Sequence, residues 1–468
     1  MMTKDASGPA AEVAQPCGEE GKCSSSSSSC PSKPVRPTYH IPFCLDHVLG
    51  GLFVLFALPP AALVVALTVV WNAIDPITPR VRKAVVWAMH PIARLIVKKP
   101  EDSFIVGVVI LQAVVQPIAF FCLLAHTVKS NSFSILYAYL YHVIRIGPHF
   151  TNYAYAYTLC HKEGHVKRVG FWREPFSYFL HSVFNWWIGL FYGVMPSSFS
   201  YGHSRNHHRH NNDKEDVVST WDRPRDSFWN YLAYVPRWNS YHMNISSTFK
   251  FLEEKEPDVA AKLVMGTVYW LVFFCAISML HFRFALAYLL YPVVESMLLL
   301  SAINWAWHCF LDPDKTNIYA SSVTLFHGKE ETNILNEDYH VVHHQYPSAH
   351  WLLYPNLYEK HREEYIANKA TILDDTNAME IFFLAILQKY EIFAEKWVDL
   401  SGTMSYEEKK ELVITRLRHC SWGSPFAQKA GTCLYEVATA PDDERASSVN
   451  SENGDTDAVI VSAASEKS

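Results

Sequence analysis

Charged residues are scarce in this chain. They make up 18% of its 468 residues, whereas soluble domains carry about a quarter, and hydrophobic residues make up 50%. The net charge is only −6, and no basic patch carries aromatic side chains arranged for base stacking, so we expect no nucleic acid partner. The ten cysteines include no CxxC pair, which favours a reduced, intracellular setting over a disulfide-rich secreted one.

Both ends of the chain lack long apolar runs. Residues 1–40 contain CSSSSSSCPSKP, and no apolar run begins before Val48, so we predict a disordered Ser/Pro-rich tail rather than a secretory signal peptide. Residues 431–468 are small, polar and acidic, and they predict a second disordered tail. Composition divides the rest into an N-terminal apolar segment with a basic loop at 41–103, a membrane domain at 104–395 and a C-terminal cap extension at 396–430.

Long apolar runs fill the middle of the chain. A helix over 104–126 would be about 34 Å long, which is enough to cross a hydrocarbon core of about 30 Å. The runs pair across short polar links, which predicts two helical hairpins at 104–157 and 261–310. Only helices and closed barrels satisfy the backbone in lipid, and these runs are too long for barrel strands. We therefore predict an all-α integral membrane fold with two transmembrane hairpins after an N-terminal apolar segment.

The N-terminal apolar segment, 48–74, leaves two topologies open. Pro59 and Pro60 interrupt it, and the loop that follows at 75–103 is rich in arginine and lysine, which favours a cytosolic position for that loop. The segment therefore either spans the membrane, with the N-terminal tail outside, or dips in and returns.

Histidines concentrate directly after the apolar segments, in three distinct spacings. On a helix, residues four apart share a face, so two such imidazoles can reach one metal ion. Neutral imidazole is a ligand for iron, zinc, copper and nickel. The three boxes are an HxxxH at His161 and His165, an HxxxHH at His203, His207 and His208, and an HxxHH at His340, His343 and His344.

A further pair, Asn304 and His308 of NWAWH, ends the second hairpin. A single zinc ion takes at most four ligands, so nine histidines are too many for one ion and suit two. Three boxes in order, each past an apolar hairpin or segment, are a much stronger indication of a metal centre than one HxxxH on a surface helix.

These motifs, in this order and with these separations, resemble those of the membrane fatty acid desaturase and hydroxylase superfamily. The resemblance covers roughly residues 104–360 and implies a centre of two iron ions in a cap on the cytosolic side, with Asn304 near the metal through water. The implied ligands are His161, His165, His203, His207, His208, His308, His340, His343 and His344.

The resemblance implies an oxygen-dependent oxidoreductase, and we expect a fatty acyl desaturase that introduces a double bond into a lipid acyl chain. A hydroxylase or monooxygenase is the alternative, because HKEGH, HSRNHH and the later STWDRPRDSF are also similar to bacterial-type alkane monooxygenases. A metal transporter and a non-catalytic membrane scaffold are remote alternatives. The endoplasmic reticulum is the default location for this resemblance.

Electrons are expected from a separate donor of the cytochrome b5 or ferredoxin type. A fused cytochrome b5 would show His-Pro-Gly-Gly, and the His-Pro at His90 continues differently. No flavin or nicotinamide fingerprint is present. We expect the donor to dock on the cap near Lys167, Arg168, Arg205 and Arg209.

Three carboxylates beside the boxes are candidates for hydrogen bonds that orient the imidazoles: Glu163, Asp213 and Asp338. His210 is a candidate to replace His207 if the second box turns differently. If all boxes serve one site, they lie on one side of the membrane, so the apolar segment 176–194 between the first two boxes crosses either twice or not at all. The segment is too short to cross twice, and we predict a re-entrant or interfacial segment.

Overall fold

The computed structural model describes residues 43–74, 78–166, 170–313, 317–326 and 333–420. The predicted tails at 1–40 and 431–468 lie outside the described residues. Within the described residues, four helices are long and apolar enough to cross a membrane. This confirms the predicted all-α integral membrane fold.

Helix α1 (Phe43–Ile74) is one continuous helix of 32 residues that contains Pro59 and Pro60. Neighbouring helices and local adjustments make proline tolerable inside a membrane helix. Because α1 is continuous and is one of the four candidate spans, its length and composition favour a crossing for 48–74 over a dip and return.

Helix α2 (Thr78–Ile96) leads from α1 to the first hairpin. Val97, directly after it, forms an antiparallel bridge with Trp172. Asp102 accepts a hydrogen bond from Trp351 Nε1 at 2.9 Å. The start of the first hairpin is therefore fastened to the loop that follows the third histidine box.

The first arm of this hairpin is α3 (Pro100–Ser130), with a wide π-helical turn at Ile110–Val115. Asn131 ends it in the left-handed conformation. Helix α4 (Ile135–Ile146) then begins after Ser134, whose hydroxyl caps its first turn.

The second arm of the first hairpin is broken rather than continuous. Gly147 has a φ of 75°, Pro148 follows it, and His149 and Phe150 also have positive φ. The chain leaves α4 here and continues as α5 (Thr151–His165). The predicted hairpin at 104–157 thus has one long and one interrupted arm, and α5 carries the chain to the first histidine box.

The segment predicted at 176–194 to be re-entrant or interfacial is divided into short helical pieces. Phe184, Ile188 and Phe191 are fully buried in the core that the hairpins share. The segment is not among the candidate spans of the described residues, which agrees with the parity argument. The pieces up to the end of the second box are Phe176–Leu180, Phe184–Ile188, Gly189–Tyr192, Ser198–His207 and His208–His210.

Two helices of the cap, α6 (Phe228–His242) and α7 (Ile245–Glu253), precede the second hairpin. A Cβ atom on Gly50 would lie 1.8 Å from the carbonyl oxygen of Leu232, so α1 and α6 pack backbone to backbone. The second hairpin, α8 (Pro257–Leu280) and α9 (Phe282–Trp307), has two long arms as predicted. Helix α9 ends at Trp307, directly before His308.

The rest of the cap is built from short helices and a small sheet. Strand β1 (Thr324–Phe326) pairs in parallel with β2 (Ile372–Asp374), a feature that the all-α expectation did not include. The third box forms α10 (His340–Gln345). The remaining helical turns of the described residues are Pro148–Phe150, Ile318–Ser321, Ile334–Asn336, Trp351–Leu353, Tyr354–Lys360, Arg362–Ala367 and Tyr390–Lys396.

Two C-terminal helices complete the apolar core of the cap. They are α11 (Ala378–Ile386) and α12 (Tyr406–Arg418). Val413 and Leu417 of α12 are fully buried in the same cluster as Trp305 of α9. The end of the second hairpin is therefore held by residues more than a hundred positions later in the chain.

Candidate metal centre

The histidines of the three boxes and His308 converge in the cap and divide into two groups. In each group, the nitrogen atoms available to a metal all lie within 4.8 Å of one another. The first group contains His161, His165, His203, His208 and His343. The second contains His207, His308 and His344.

His340 extends the second group to four. Its Nε2 lies 3.3 Å from Nε2 of His308, and its ring centroid lies 4.7 Å from that of His344. We refer to the two sets as the five-histidine group and the four-histidine group. Together they contain all nine histidines that the resemblance implies as ligands.

The paired histidines of boxes two and three explain how the two groups come to be neighbours. His207 belongs to the four-histidine group and His208 to the five-histidine group. In box three, His344 and His343 divide in the same way. Adjacent residues on a helix point in different directions, about 100° apart at 3.6 residues per turn, so each HH dipeptide supplies one imidazole to each group.

Box one meets box two through a glycine. A Cβ atom on Gly164 would lie 2.7 Å from the carbonyl carbon of Phe199, so only a residue without a side chain fits between α5 and the start of the second box. Nε2 of His161 lies 2.7 Å from Nε2 of His203 as a result. The glycine of HKEGH is therefore part of the geometry that forms the five-histidine group.

The outer nitrogen of five of the imidazoles is engaged by the protein. An engaged Nδ1 fixes the ring orientation and leaves Nε2 for a metal ion. The outer contacts are His161 Nδ1 with Glu337 Oε2 at 3.2 Å, His207 Nδ1 with Asp216 Oδ2 at 2.6 Å, His308 Nδ1 with the Ser321 carbonyl at 2.8 Å, His343 Nδ1 with Tyr354 Oη at 3.1 Å and His344 Nδ1 with Asn211 Oδ1 at 3.0 Å.

The inner nitrogens fit a metal ion. Among the described residues, Nε2 of His165, His343 and His344 is buried and has no hydrogen-bond partner, although buried polar atoms are nearly always paired. Burial and the neighbouring imidazoles hold the pKa values of these three histidines well below the usual 6.5. The rings are therefore neutral at physiological pH, which is the state that binds metals.

The carboxylates that contact imidazoles are neighbours of those chosen from the sequence. Asp216, and not Asp213, pairs with His207, while Asp213 accepts the backbone N–H of Lys214. Glu337 rather than Asp338 contacts His161. Asp216 lies in a loop nine positions after His207, so the helical spacing of residues does not predict this pair.

Glu163, which lies within box one, contacts the segment between the first two boxes rather than an imidazole. It accepts hydrogen bonds from the N–H groups of Phe184 and Asn185 and from Asn185 Nδ2. Burial raises the pKa of Glu163 to about 8. Glu163 therefore holds α5 against the segment between the first two boxes.

Asn304, one turn before His308, donates from Nδ2 to Tyr234 Oη at 2.7 Å.

Three basic residues in and just after box two face acidic partners directly after α7. His210 Nε2 lies 3.7 Å from Glu254, and His210 joins neither group. Arg205 lies 3.6 Å from Glu256, and Arg209 lies 3.6 Å from Glu254. The predicted docking surface is therefore mixed in charge at these two arginines, and Lys167 and Arg168 lie outside the described residues.

The apolar helices and the two histidine groups define an integral membrane protein with a polyhistidine centre of metal-binding type. Residues 146–375 match the fatty acid desaturase family. This match supports the expected membrane fatty acid desaturase and hydroxylase superfamily, and with it a membrane oxidoreductase that acts on a lipid substrate. The match contains all nine histidines. Searches of curated proteins and of solved structures returned no significant match.

Proposed function

We propose that this protein is an oxygen-dependent fatty acyl desaturase that uses two iron ions to introduce a double bond into a lipid acyl chain. The observation that carries the proposal is the division of nine imidazoles into neighbouring groups of five and four. A transporter would place ligands inside its crossings, whereas these histidines lie beyond the ends of the long apolar helices. A scaffold that had lost its chemistry would not be expected to keep every position filled.

Iron bound at the two groups would supply the oxidising power that removes hydrogen from an unactivated methylene, with dioxygen as oxidant and electrons from a separate donor. The chain's own residues hold the metal, fix the imidazole orientations and keep bulk water out. His308, His343 and His344 are buried, and Trp307 covers His340 with ring centroids 4.4 Å apart. Such an enclosure protects a strong oxidant from side reactions.

Hydroxylation is the second candidate, and one segment favours it. The stretch that resembles alkane monooxygenases, STWDRPRDSF, lies against the four-histidine group. Thr220 Oγ1 donates to the carbonyl of His308 at 2.8 Å, and the guanidinium of Arg225 donates to the carbonyl of Cys309 at 3.1 Å. Both candidate reactions use the same centre and differ in whether oxygen returns to the substrate carbon.

The decisive experiment is mass spectrometry of total lipids from yeast that express the full chain, beside cells that express His343→Ala. We expect a new double bond in the wild-type lipids that is absent from the control. A new hydroxyl group, also absent from the control, would replace the desaturase proposal with the hydroxylase. Identical lipids from both strains, with two irons bound to the wild-type protein, would count against activity on the acyl chains of yeast.

The proposal includes a location and a donor. We propose that the cap faces the cytosol at the endoplasmic reticulum, and that a cytochrome b5 or ferredoxin-type protein delivers the electrons there. The similarity to the superfamily supports the location, and the proposed reaction with dioxygen requires a donor of electrons.

A further inference from the structure

Lys162, the second residue of HKEGH, is buried between the first and third histidine boxes. Its side chain is only 4% exposed. Its Nζ lies 2.5 Å from Glu337 Oε1 and 2.6 Å from Tyr354 Oη. A buried ammonium group is costly unless it is paired and hydrogen-bonded, and here both requirements are met by residues from the third-box region.

Each partner of Lys162 contacts a different histidine of the five-histidine group. Glu337 Oε2 lies 3.2 Å from Nδ1 of His161. Tyr354 Oη lies 3.1 Å from Nδ1 of His343. The five residues thus form one continuous chain of contacts, His161 to Glu337 to Lys162 to Tyr354 to His343.

The chemistry of the ammonium group determines which atoms donate and which accept along this series of contacts. An ammonium group has three donors and no acceptor, so Lys162 donates to Tyr354 Oη and forms an ion pair with Glu337. Its positive charge lies against one oxygen of Glu337, and the other oxygen of that carboxylate faces Nδ1 of His161. An ionised carboxylate accepts the Nδ1–H of His161, which leaves Nε2 free for metal. A phenol oxygen has two lone pairs, so Tyr354 can accept from Lys162 and from the Nδ1–H of His343 together.

The four-histidine group has its own, separate outer contacts. They come from Asp216 to His207, from the Ser321 carbonyl to His308 and from Asn211 to His344. None of these three contacts involves Lys162, Glu337 or Tyr354. A change at Lys162 therefore acts on one group and leaves the outer contacts of the other in place.

We infer that Lys162 is the positioning residue of the five-histidine group, which ties box one to box three by holding Glu337 against His161 and Tyr354 against His343. The inference rests on the proposed metal function of the two groups. Lys162 does not touch the metal position itself; it acts through the orientation of two imidazoles.

The test is anaerobic titration of the purified, metal-free full chain with Co²⁺, followed by its visible absorption. The wild type is expected to bind two ions per chain. In Lys162→Met, one ion is expected to bind as in the wild type and the other about 10- to 100-fold more weakly, the usual loss when an outer partner of a ligand is removed. Lys162→Arg keeps the charge and is expected to recover part of the loss and of the spectrum.

Lys250→Met is the matched control. Lys250 is another buried lysine with acidic partners, Glu215 and Glu254, and it contacts neither group of histidines in these pairs. The Lys250→Met variant is expected to bind both ions as the wild type does. Tyr354→Phe removes a single hydroxyl group and decides the question if Lys162→Met does not fold, because it is expected to weaken the same one ion.

Lys162→Met or Tyr354→Phe with two ions bound as tightly as in the wild type, and with an unchanged spectrum, would overturn the inference and leave the proposed function standing. A wild-type chain that binds no cobalt would instead contradict the proposed metal function itself.

Discussion

Asp216 Oδ2 lies 2.6 Å from Nδ1 of His207, and both side chains are almost completely buried. The contact with His207 and the backbone N–H of Val218 lower the pKa of Asp216 against the effect of burial, so the carboxylate stays ionised. The pair fixes His207 with Nε2 towards the four-histidine group. Asp216 also accepts the backbone N–H groups of Asn212 and Val218, which shapes the loop around the pair.

Asp216→Asn is therefore expected to weaken metal binding at the four-histidine group by about 10- to 100-fold, since an amide is a poorer acceptor for the Nδ1–H. Equilibrium dialysis against a metal buffer measures the loss. Asp213→Asn is the control, because Asp213 accepts the Lys214 backbone N–H instead. Equal losses in the two variants would show that the buried pair has no special role.

Gly164→Ala is expected to separate box one from box two. The added methyl would lie 2.7 Å from the carbonyl carbon of Phe199, so α5 or the second box has to shift, and the His161–His203 distance of 2.7 Å has to increase. Metal affinity of the five-histidine group is expected to fall. Gly107→Ala on α3, where nothing lies within 4 Å of the new atom, is expected to behave like the wild type, and similar metal content in both variants would contradict the argument.

The stability of the metal-free protein is expected to fall on acidification. The folded state binds fewer protons than the unfolded state below pH 6.5, because the histidine pKa values are depressed, and stability is then lost as the pH falls. Thermal unfolding at about pH 7.5 and about pH 5.5 measures this. The histidines whose pKa values lie well below 6.5 include His165, His203, His208, His308, His340, His343 and His344.

Glu163 changes the pH dependence of stability in the opposite direction to the histidines. Its pKa is raised to about 8, so it lowers stability as the pH rises from 4.5 through 8. Glu163→Gln removes this contribution and is expected to make the loss on acidification steeper. A melting temperature that stays constant or rises between about pH 7.5 and about pH 5.5 in that variant would contradict the lowered pKa values of these histidines.

Leu417→Ala is expected to destabilise the cap by about 2–5 kcal/mol, the usual cost of truncating a buried leucine. Leu417 is fully buried in the same apolar cluster as Trp305, and its carbonyl accepts the backbone N–H of Arg225. Glu411→Ala on the exposed side of α12 is the control. Thermal unfolding of the two variants compares them, and equal melting temperatures would show that α12 contributes nothing to the core of the cap.

The sequence predicted the membrane hairpins and the nine histidines because both depend on local patterns. Apolar length decides a crossing, and box spacing decides which imidazoles share a face. The carboxylates were harder to predict. Glu337 and Asp338 are adjacent, and the left-handed residues Leu335 and Asn336 just before them decide which one reaches His161. A left-handed bend of this kind has no signature in the spacing of the box.

Long-range packing was also beyond the sequence. The break between α4 and α5 needs positive φ values at Gly147, His149 and Phe150, and only that of Gly147 is predicted by its residue type. The burial of α12 against α9 depends on a surface that exists only once the hairpin has formed. The sequence therefore predicts a cap extension at 396–430 but not the helix against which it packs.

The most direct test of the account is the iron content of the purified protein, after anaerobic loading with Fe²⁺ and removal of loosely bound metal. We expect two irons per chain in the wild type, and about one in His344→Ala and in His165→Ala, because each variant removes a ligand from a different group. One iron or none in a folded wild-type chain, or two irons in both variants, would contradict the two-metal centre.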